Sequence, residues 1–167
     1  MRGGRGGGGC QGRAMLTHAE KKFLPYSADQ MYRLVADIER YPEFLPWCVG
    51  ARIRRRVGNI VYADLMIGFK MVRERFVSTV LMAPNRIDVT YAEGPFQYLN
   101  NHWIFETVPG GCRIDFFVDF EFKSKMLQKI ISVLFGEAVK RMVLAFEQRA
   151  EVLYGHPKVD SSLVSPA

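Results

Sequence analysis

Cys48 closes the stretch Tyr41-Pro42-Glu43-Phe44-Leu45-Pro46-Trp47-Cys48 and is the thiol best placed to act as a nucleophile. A reactive thiol needs a neighbouring cation to hold it as thiolate. No His or Lys stands near Cys48 in the chain, so it reads as a small buried apolar residue. The other cysteines, Cys10 and Cys112, make an odd total of three, far apart and without a Cys-x-x-Cys pair. That pattern implies reduced thiols and a cytosol-like compartment. His102 falls mid-strand, in phase with Tyr98, Asn100, Ile104 and Glu106 on the wetter face, and reads as structural or exposed. His18 and His156 lie near the ends. No His, Asp, Glu or Cys cluster has zinc spacing, and Gly58, Gly68 and Gly94 do not form a phosphate loop. Asp64 and Glu74 sit among outward residues and are expected to pair with nearby arginines. No two carboxylates face inward together. The expectation is no catalytic residue, no metal and no enzyme, which turns attention to apolar binding.

The side chains that could bind are aromatic. Phe occurs twelve times and Tyr seven in 167 residues, enough for a large aromatic interior or a ligand cavity within one domain. "YPEFLPWC" concentrates them where a regular element is disfavoured. Pro42 and Pro46 interrupt helix and strand alike, and the residues before them are pushed toward extended backbone.

The flanking elements are legible. "THAEKKFL" (17 to 24) suggests a first strand. "SADQMYRLVADIE" (27 to 39) predicts a helix capped by Ser27, with Gln30 completing a capping box and Met31, Leu34, Val35 and Ile38 on one face. After the aromatic segment the period becomes two. Ala51, Ile53 and Val57 share a face in "GARIRRRVG", with Arg52, Arg54 and Arg56 opposite. Val61, Ala63, Leu65, Ile67 and Phe69 follow, then a strand to Pro84-Asn85. Ile87, Val89 and Tyr91 come next, and then Leu99, Asn101, Trp103 and Phe105. Cys112, Ile114, Phe116, Val118, Phe120 and Phe122 form the clearest apolar face, with charged residues between them. A helix then runs from Ser124 as N-cap to about Tyr154, stopped by Gly155 and Pro157. At about 1.5 Å per residue it is roughly 45 Å long, a length only a wide curved sheet can cover.

Residues 1–14 are Gly/Arg-rich and read as a disordered tail, with Met15 a possible natural start; 15–155 form the domain, and 156–167 read as a second tail. The net charge of +6 favours polyanions such as RNA, anionic lipid or acidic proteins. No apolar run approaches the roughly 20 residues of a membrane span, which predicts a soluble or peripheral protein.

The order strand, helix, aromatic segment, six antiparallel strands, long helix resembles the START-like superfamily. "LVADIERYPEFLPWC", "EGPFQYLNNHWIF" and "FFVDFEFKS" resemble the coenzyme Q-binding START family, whose bacterial branch overlaps the ribosome association toxins. The likeness covers roughly residues 17 to 155. It implies an α+β helix-grip fold: a curved antiparallel sheet of about seven strands around the C-terminal helix, enclosing an apolar cavity. It also implies ubiquinone or a similar polyprenyl lipid as bound ligand, carried in support of respiration without a catalytic cofactor. The location implied is the bacterial cytoplasm beside the inner membrane, or the matrix side of the mitochondrial inner membrane. The alternative it implies is a protein that binds the large ribosomal subunit and blocks subunit association. With that fold, the cavity wall is expected to hold Leu65, Ile67, Phe69, Trp103, Phe105, Phe116, Phe120, Met142 and Phe146. The mouth is expected at Tyr41, Phe44, Leu45, Trp47 and Phe96. Arg52, Arg54 and Arg56 would face an anionic membrane or ribosomal RNA.

Overall fold

The computed structural model describes residues 16–69 and 72–156. The tail expected at 1–14, residues 157–167 of the tail expected at 156–167, and the status of Met15 lie outside the described residues. Strand β1 (Leu16–Leu24) leads to α1 (Ala28–Ala36). Ser27 Oγ accepts the Gln30 amide at 3.0 Å, and Gln30 Oε1 accepts the Ser27 amide at 3.0 Å, the capping box expected from the sequence.

Two expectations in this region are corrected. Helix α1 stops at Ala36, with Asp37 as its C-cap, rather than continuing to residue 39. The segment thought unable to be regular begins as a 3-10 helix, Ile38–Glu43, with Pro42 inside it. A single short 3-10 run asks few backbone N–H groups to donate, so the N–H that proline lacks is not missed. Its exit is closed by Phe44 N and Leu45 N, which both donate to Tyr41 O, at 3.2 and 2.8 Å.

Six further strands follow: β2 (Cys48–Val57), β3 (Ile60–Phe69), β4 (Val72–Ala83), β5 (Arg86–Glu93), β6 (Phe96–Val108) and β7 (Gly111–Phe122). They form one seven-stranded antiparallel curved sheet in the order β1-β7-β6-β5-β4-β3-β2. Helix α2 (Lys125–Tyr154) starts at Ser124, whose Oγ accepts the Leu127 amide at 3.2 Å, and ends at Gly155 with φ 76°. Its 30 residues make it roughly 45 Å long.

Strand β2 departs from simple alternation. The pairing shifts between Ile53 and Arg55, so Ile53 faces Ala63 while Arg55 faces Tyr62. This bulge ends the buried phase at Ile53. Val57, expected on the apolar face, is consequently exposed.

The core lies in two parts. One joins α1 to the sheet and to the C-terminal half of α2 through Met31, Val35, Phe105, Ile114, Phe146 and Ala150. The other joins Leu16, Phe76, Phe96 and Phe120, with Ile131 and Phe135 of α2 against them.

Candidate ligand cavity

Between the two cores, α2 stands away from the sheet over a cavity of about 350 Å³. The 3-10 helix, the loop after it and the start of β2 supply one rim, with Tyr41, Leu45, Trp47 and Cys48 on the lining. Strand β3 contributes Leu65 and Ile67, and β6 contributes Phe96, Leu99, Asn101 and Trp103. The inward phase of β7 contributes Phe116, Val118, Phe120 and Phe122. Ile131, Phe135, Met142 and Phe146 of α2 close the far side.

Eleven of the fourteen residues expected to touch a ligand thus border this space; Phe44, Phe69 and Phe105 are not among its lining residues. Each of the three has another task. Phe105 shares a phase with Trp103, but α1 covers that part of the strand: Tyr32 meets it edge-on at 5.6 Å between ring centroids. Phe69 packs nearly perpendicular to Trp47 at 5.5 Å, holding the rim rather than the wall. Phe44 clamps the aromatic segment to α2, with Phe146 at 5.3 Å and the Arg149 guanidinium 5.2 Å from its ring centroid. Phe96, placed at the mouth from sequence, is buried in the wall between Phe76 and Phe120, at 5.1 and 5.7 Å.

Sequence reasoning passed over several lining residues. Asn101 shares the Trp103 face in the sequence, but a polar side chain carries no signal for an apolar wall. Phe76 lies in "RERFVSTV", which has no clean alternation to give it a face. Ile131 and Phe135 sit in the helical spacing, yet α2 is apolar on more than one side and the spacing alone does not say which side meets the cavity.

The polar groups of Asn101, Trp103, Ser78 and Tyr41 on the wall are occupied within the protein. Asn101 Nδ2 donates to Phe117 O at 2.8 Å, and its Oδ1 accepts the Trp103 indole N–H at 3.1 Å. Ser78 Oγ donates to Ala63 O at 3.4 Å, and the Tyr41 hydroxyl donates to Val35 O. Burial pushes the Tyr41 hydroxyl well above its ordinary range, helped by the nearby Cys48 and Asp37. Burial also raises the Cys48 thiol, partly offset by its bond to Gly50 O. Both groups are thereby held protonated, as suits an apolar container rather than an activated nucleophile. Among the described residues no group of three or more His, Cys, Asp or Glu could hold a metal ion. Nor is any described helix long and apolar enough to cross a membrane.

Outside the cavity, Asp64 is buried on β3 between two arginines. Arg75 Nε reaches its Oδ1 at 2.7 Å, Arg75 Nη2 bonds its Oδ2, and Arg54 Nε reaches Oδ2 at 3.3 Å. The Arg75 hydrogen bonds hold the Asp64 carboxyl below its usual range, with Arg54 adding to the effect. Arg54 is therefore drawn into this cluster, though it is exposed like Arg52 and Arg56.

Residues 24–147 match the family described as polyketide cyclase / dehydrase and lipid transport. The mitochondrial coenzyme Q-binding protein COQ10 homolog B of Xenopus laevis is 36% identical over 154 residues, 89% of this chain and 63% of that protein. The chain thus spans less than two thirds of that relative's length. The ribosome association toxin RatA of Rickettsia prowazekii is 38% identical over 142 residues, 82% of this chain and 97% of that protein. A START superfamily protein from Mycobacterium smegmatis shares the fold, with a TM-score of 0.72 at 21% identity, over 82% of this chain and 98% of that one.

Proposed function

Since the chain belongs to the polyketide cyclase / dehydrase and lipid transport family, we propose that its cavity takes up ubiquinone or a similar polyprenyl lipid and that the protein carries it in support of respiration. No covalent step is involved. The observation that carries this reading is the wall itself: aromatic and aliphatic on every side, with the Asn101 amide, the Trp103 indole N–H, the Ser78 hydroxyl and the Tyr41 hydroxyl already bonded inside the protein. Such a wall binds by burial, worth about 0.8 kcal/mol per methylene taken from water. A lipid leaving a bilayer gives up a similar amount, so exchange between membrane and cavity is near balance, as a carrier needs. The size, about 350 Å³, is at the small end of the range for ligand pockets. A quinone ring and the start of a tail suit it better than a whole long tail. The relative named coenzyme Q-binding points to the same ligand class.

The test is direct, because the protein's only two tryptophans, Trp47 and Trp103, both line the cavity. Titration with a short-chain ubiquinone in detergent should quench their emission saturably, and organic extraction of the purified protein should yield a quinone. Absence of both would sink the reading.

The relative named a ribosome association toxin favours a second reading, in which this chain engages the large ribosomal subunit. Its physical handle is the exposed run Arg52, Arg55 and Arg56 on the edge strand β2. A complex with the large subunit that survives high salt would support it. Binding that disappears with added salt would mark it as the nonspecific attraction expected of a chain with a net charge of +6.

A further inference from the structure

Helix α2 is built in two unlike halves. After Gly136 it is anchored: Val139, Ala145, Phe146 and Ala150 are buried. Before Gly136 only Leu127 is buried, and three apolar side chains point to solvent. Met126 is 73% exposed and Val133 85%, with Ile130 exposed between them. Spaced four and three residues apart, they share one face over roughly 10 Å. The stripe ends at Glu137, which pairs with Arg141 at 3.1 Å. From Glu121 to Glu137 the intervening chain holds Lys123, Lys125 and Lys129 and no acidic residue. All three lysines are exposed, and none engages an acidic partner among the described residues. An apolar stripe flanked by cations alone is complementary to an anionic lipid surface, where acyl chains lie beneath negative headgroups.

The sheet brings a second apolar group to the same end. Phe122, just before α2, pairs with Phe96 at the start of β6, and Lys123 N donates to Pro95 O at 2.8 Å. Across the sheet the same end continues through Glu93 with Val77, Glu74 with Ile67, and Ile67 with Cys48. There Val49, Met66 and Ile67 are exposed. The cavity lies between these groups, since Ile67 and Trp47 line it on one side and Ile131 and Phe135 on the other. Elsewhere on α2 the exposed apolar residues Leu144, Val152 and Leu153 sit among charged neighbours of both signs, Lys140, Arg141, Glu147, Arg149 and Glu151.

We propose that this end of the molecule, residues 123–133 with Val49 and Met66, is the surface by which the protein docks on an anionic bilayer, bringing the cavity to the membrane. This rests on the lipid-carrier reading for its purpose, though not for its geometry. It moves the contact away from Arg54, which Asp64 already holds, and onto the lysines of α2.

The experiment measures sedimentation of the full chain with vesicles of phosphatidylcholine alone, or of phosphatidylcholine with a minority of phosphatidylglycerol. Binding is expected on the anionic vesicles only. Lys125→Glu with Lys129→Glu should lower the partition coefficient about tenfold or more, and Val133→Asp should also release the protein. Reversal of Arg52 and Arg56 should leave binding near the parent's. Val133 touches too little of the core for its replacement to unfold the domain, which thermal unfolding checks. No binding to either vesicle would overturn the proposal, as would loss of binding through Arg52 and Arg56 alone. A parent dimer in light scattering that Val133→Asp splits would also overturn it, making the stripe a contact between two copies. Quinone quenching in detergent, read on the same variants, keeps the two readings separate. Quenching retained while vesicle binding is insensitive to the α2 substitutions defeats the docking surface and leaves the carrier standing. Absent quenching with α2-dependent vesicle binding does the reverse.

Discussion

Alanine at Phe105 and alanine at Phe120 should produce different molecules, although both residues belong to inward phases of neighbouring strands. Phe105 is 2% exposed and surrounded by core on all sides, with Tyr32 at 5.6 Å and the Trp103 ring stacked at 6.4 Å. Removing its ring leaves a void in packed material, so about 3 to 5 kcal/mol of stability is expected to go. For a domain of this size, about 3 °C per kcal/mol gives a fall in Tm of roughly 10 to 15 °C. Phe120 also packs closely, with Phe96, Phe122 and Phe135 at 5.7, 5.4 and 5.5 Å, but one side of it borders the cavity. That side has no atoms to lose contact with, so the loss should fall at the lower end, about 3 kcal/mol or less. Ligand binding should respond in the opposite order. Phe105→Ala should keep saturable tryptophan quenching by short-chain ubiquinone at temperatures where it remains folded. Phe120→Ala should weaken it at least several-fold. Thermal unfolding by circular dichroism and the fluorescence titration, run on both variants, decide the matter. If Phe105→Ala destroys quenching while still folded, and Phe120→Ala leaves it intact, then Phe105 does not belong to the core and Phe120 does not belong to the cavity wall.

Three further outcomes follow from particular contacts. Asp64 is held as a carboxylate by Arg75 and Arg54, so its folded pKa lies below the unfolded value of about 3.9. Its contribution is therefore complete above that value and lost as pH falls through the folded pKa; Asp64→Asn should be less stable than the parent at neutral pH, the gap closing in acid-unfolding curves below about pH 4. A Cβ on Gly136 would meet nothing within 4 Å, so Gly136→Ala should strengthen α2 by up to about 1 kcal/mol and raise Tm by about 2 to 4 °C. Gly94 has φ 147° and a Cβ there would lie 2.5 Å from Phe76 Cβ, so Gly94→Ala should cost more than about 1 kcal/mol and disturb the wall that Phe76 lines, both visible in the same two assays.

Much of this arrangement can be read from the chain. The alternation from Cys112 to Phe122 is unbroken because β7 pairs on both sides and never bulges, so every inward residue is where counting by two puts it. The capping groups Ser27 and Ser124 act within one turn of their own helices, and local chemistry of that kind needs no tertiary context. What counting by two does not provide is which helix covers which part of a face. Trp103 and Phe105 are in phase and two residues apart, yet one lies against the cavity and the other beneath α1. The bulge after Ile53 reverses the phase of the arginines with no glycine or proline to announce it. The 3-10 turn at Tyr41 was hidden for a different reason: proline forbids an α-helix interior more strongly than it forbids one short turn.

The cavity itself is the part of the fold least explained by folding. Interiors normally close to crystal-like density, and empty space is costly, roughly 24 cal/mol for each Å³ left by deleted side chains. Applied to about 350 Å³, that coefficient corresponds to as much as about 8 kcal/mol of packing forgone, comparable with the whole stability of an ordinary domain. A sequence that merely needed to fold would have let α2 settle onto the sheet. Here the aromatic segment prevents it: Phe44 and Tyr41 wedge against Phe146 at 5.3 and 5.8 Å, and Trp103 meets the same ring at 5.1 Å, so α2 is fixed at Phe146 and held off beyond it. At the other end Phe135 rests on Phe120 rather than sinking between the strands. The helix is propped at two points by rings that cannot compress. A ligand filling the span between those props would restore contacts that the empty protein lacks, and stabilise it in proportion to occupancy. Tm should therefore rise with added short-chain ubiquinone in the parent, and rise less in Phe120→Ala, where one prop is gone. Equal shifts in the two proteins would mean that the span between Phe146 and Phe120 is not where the ligand sits.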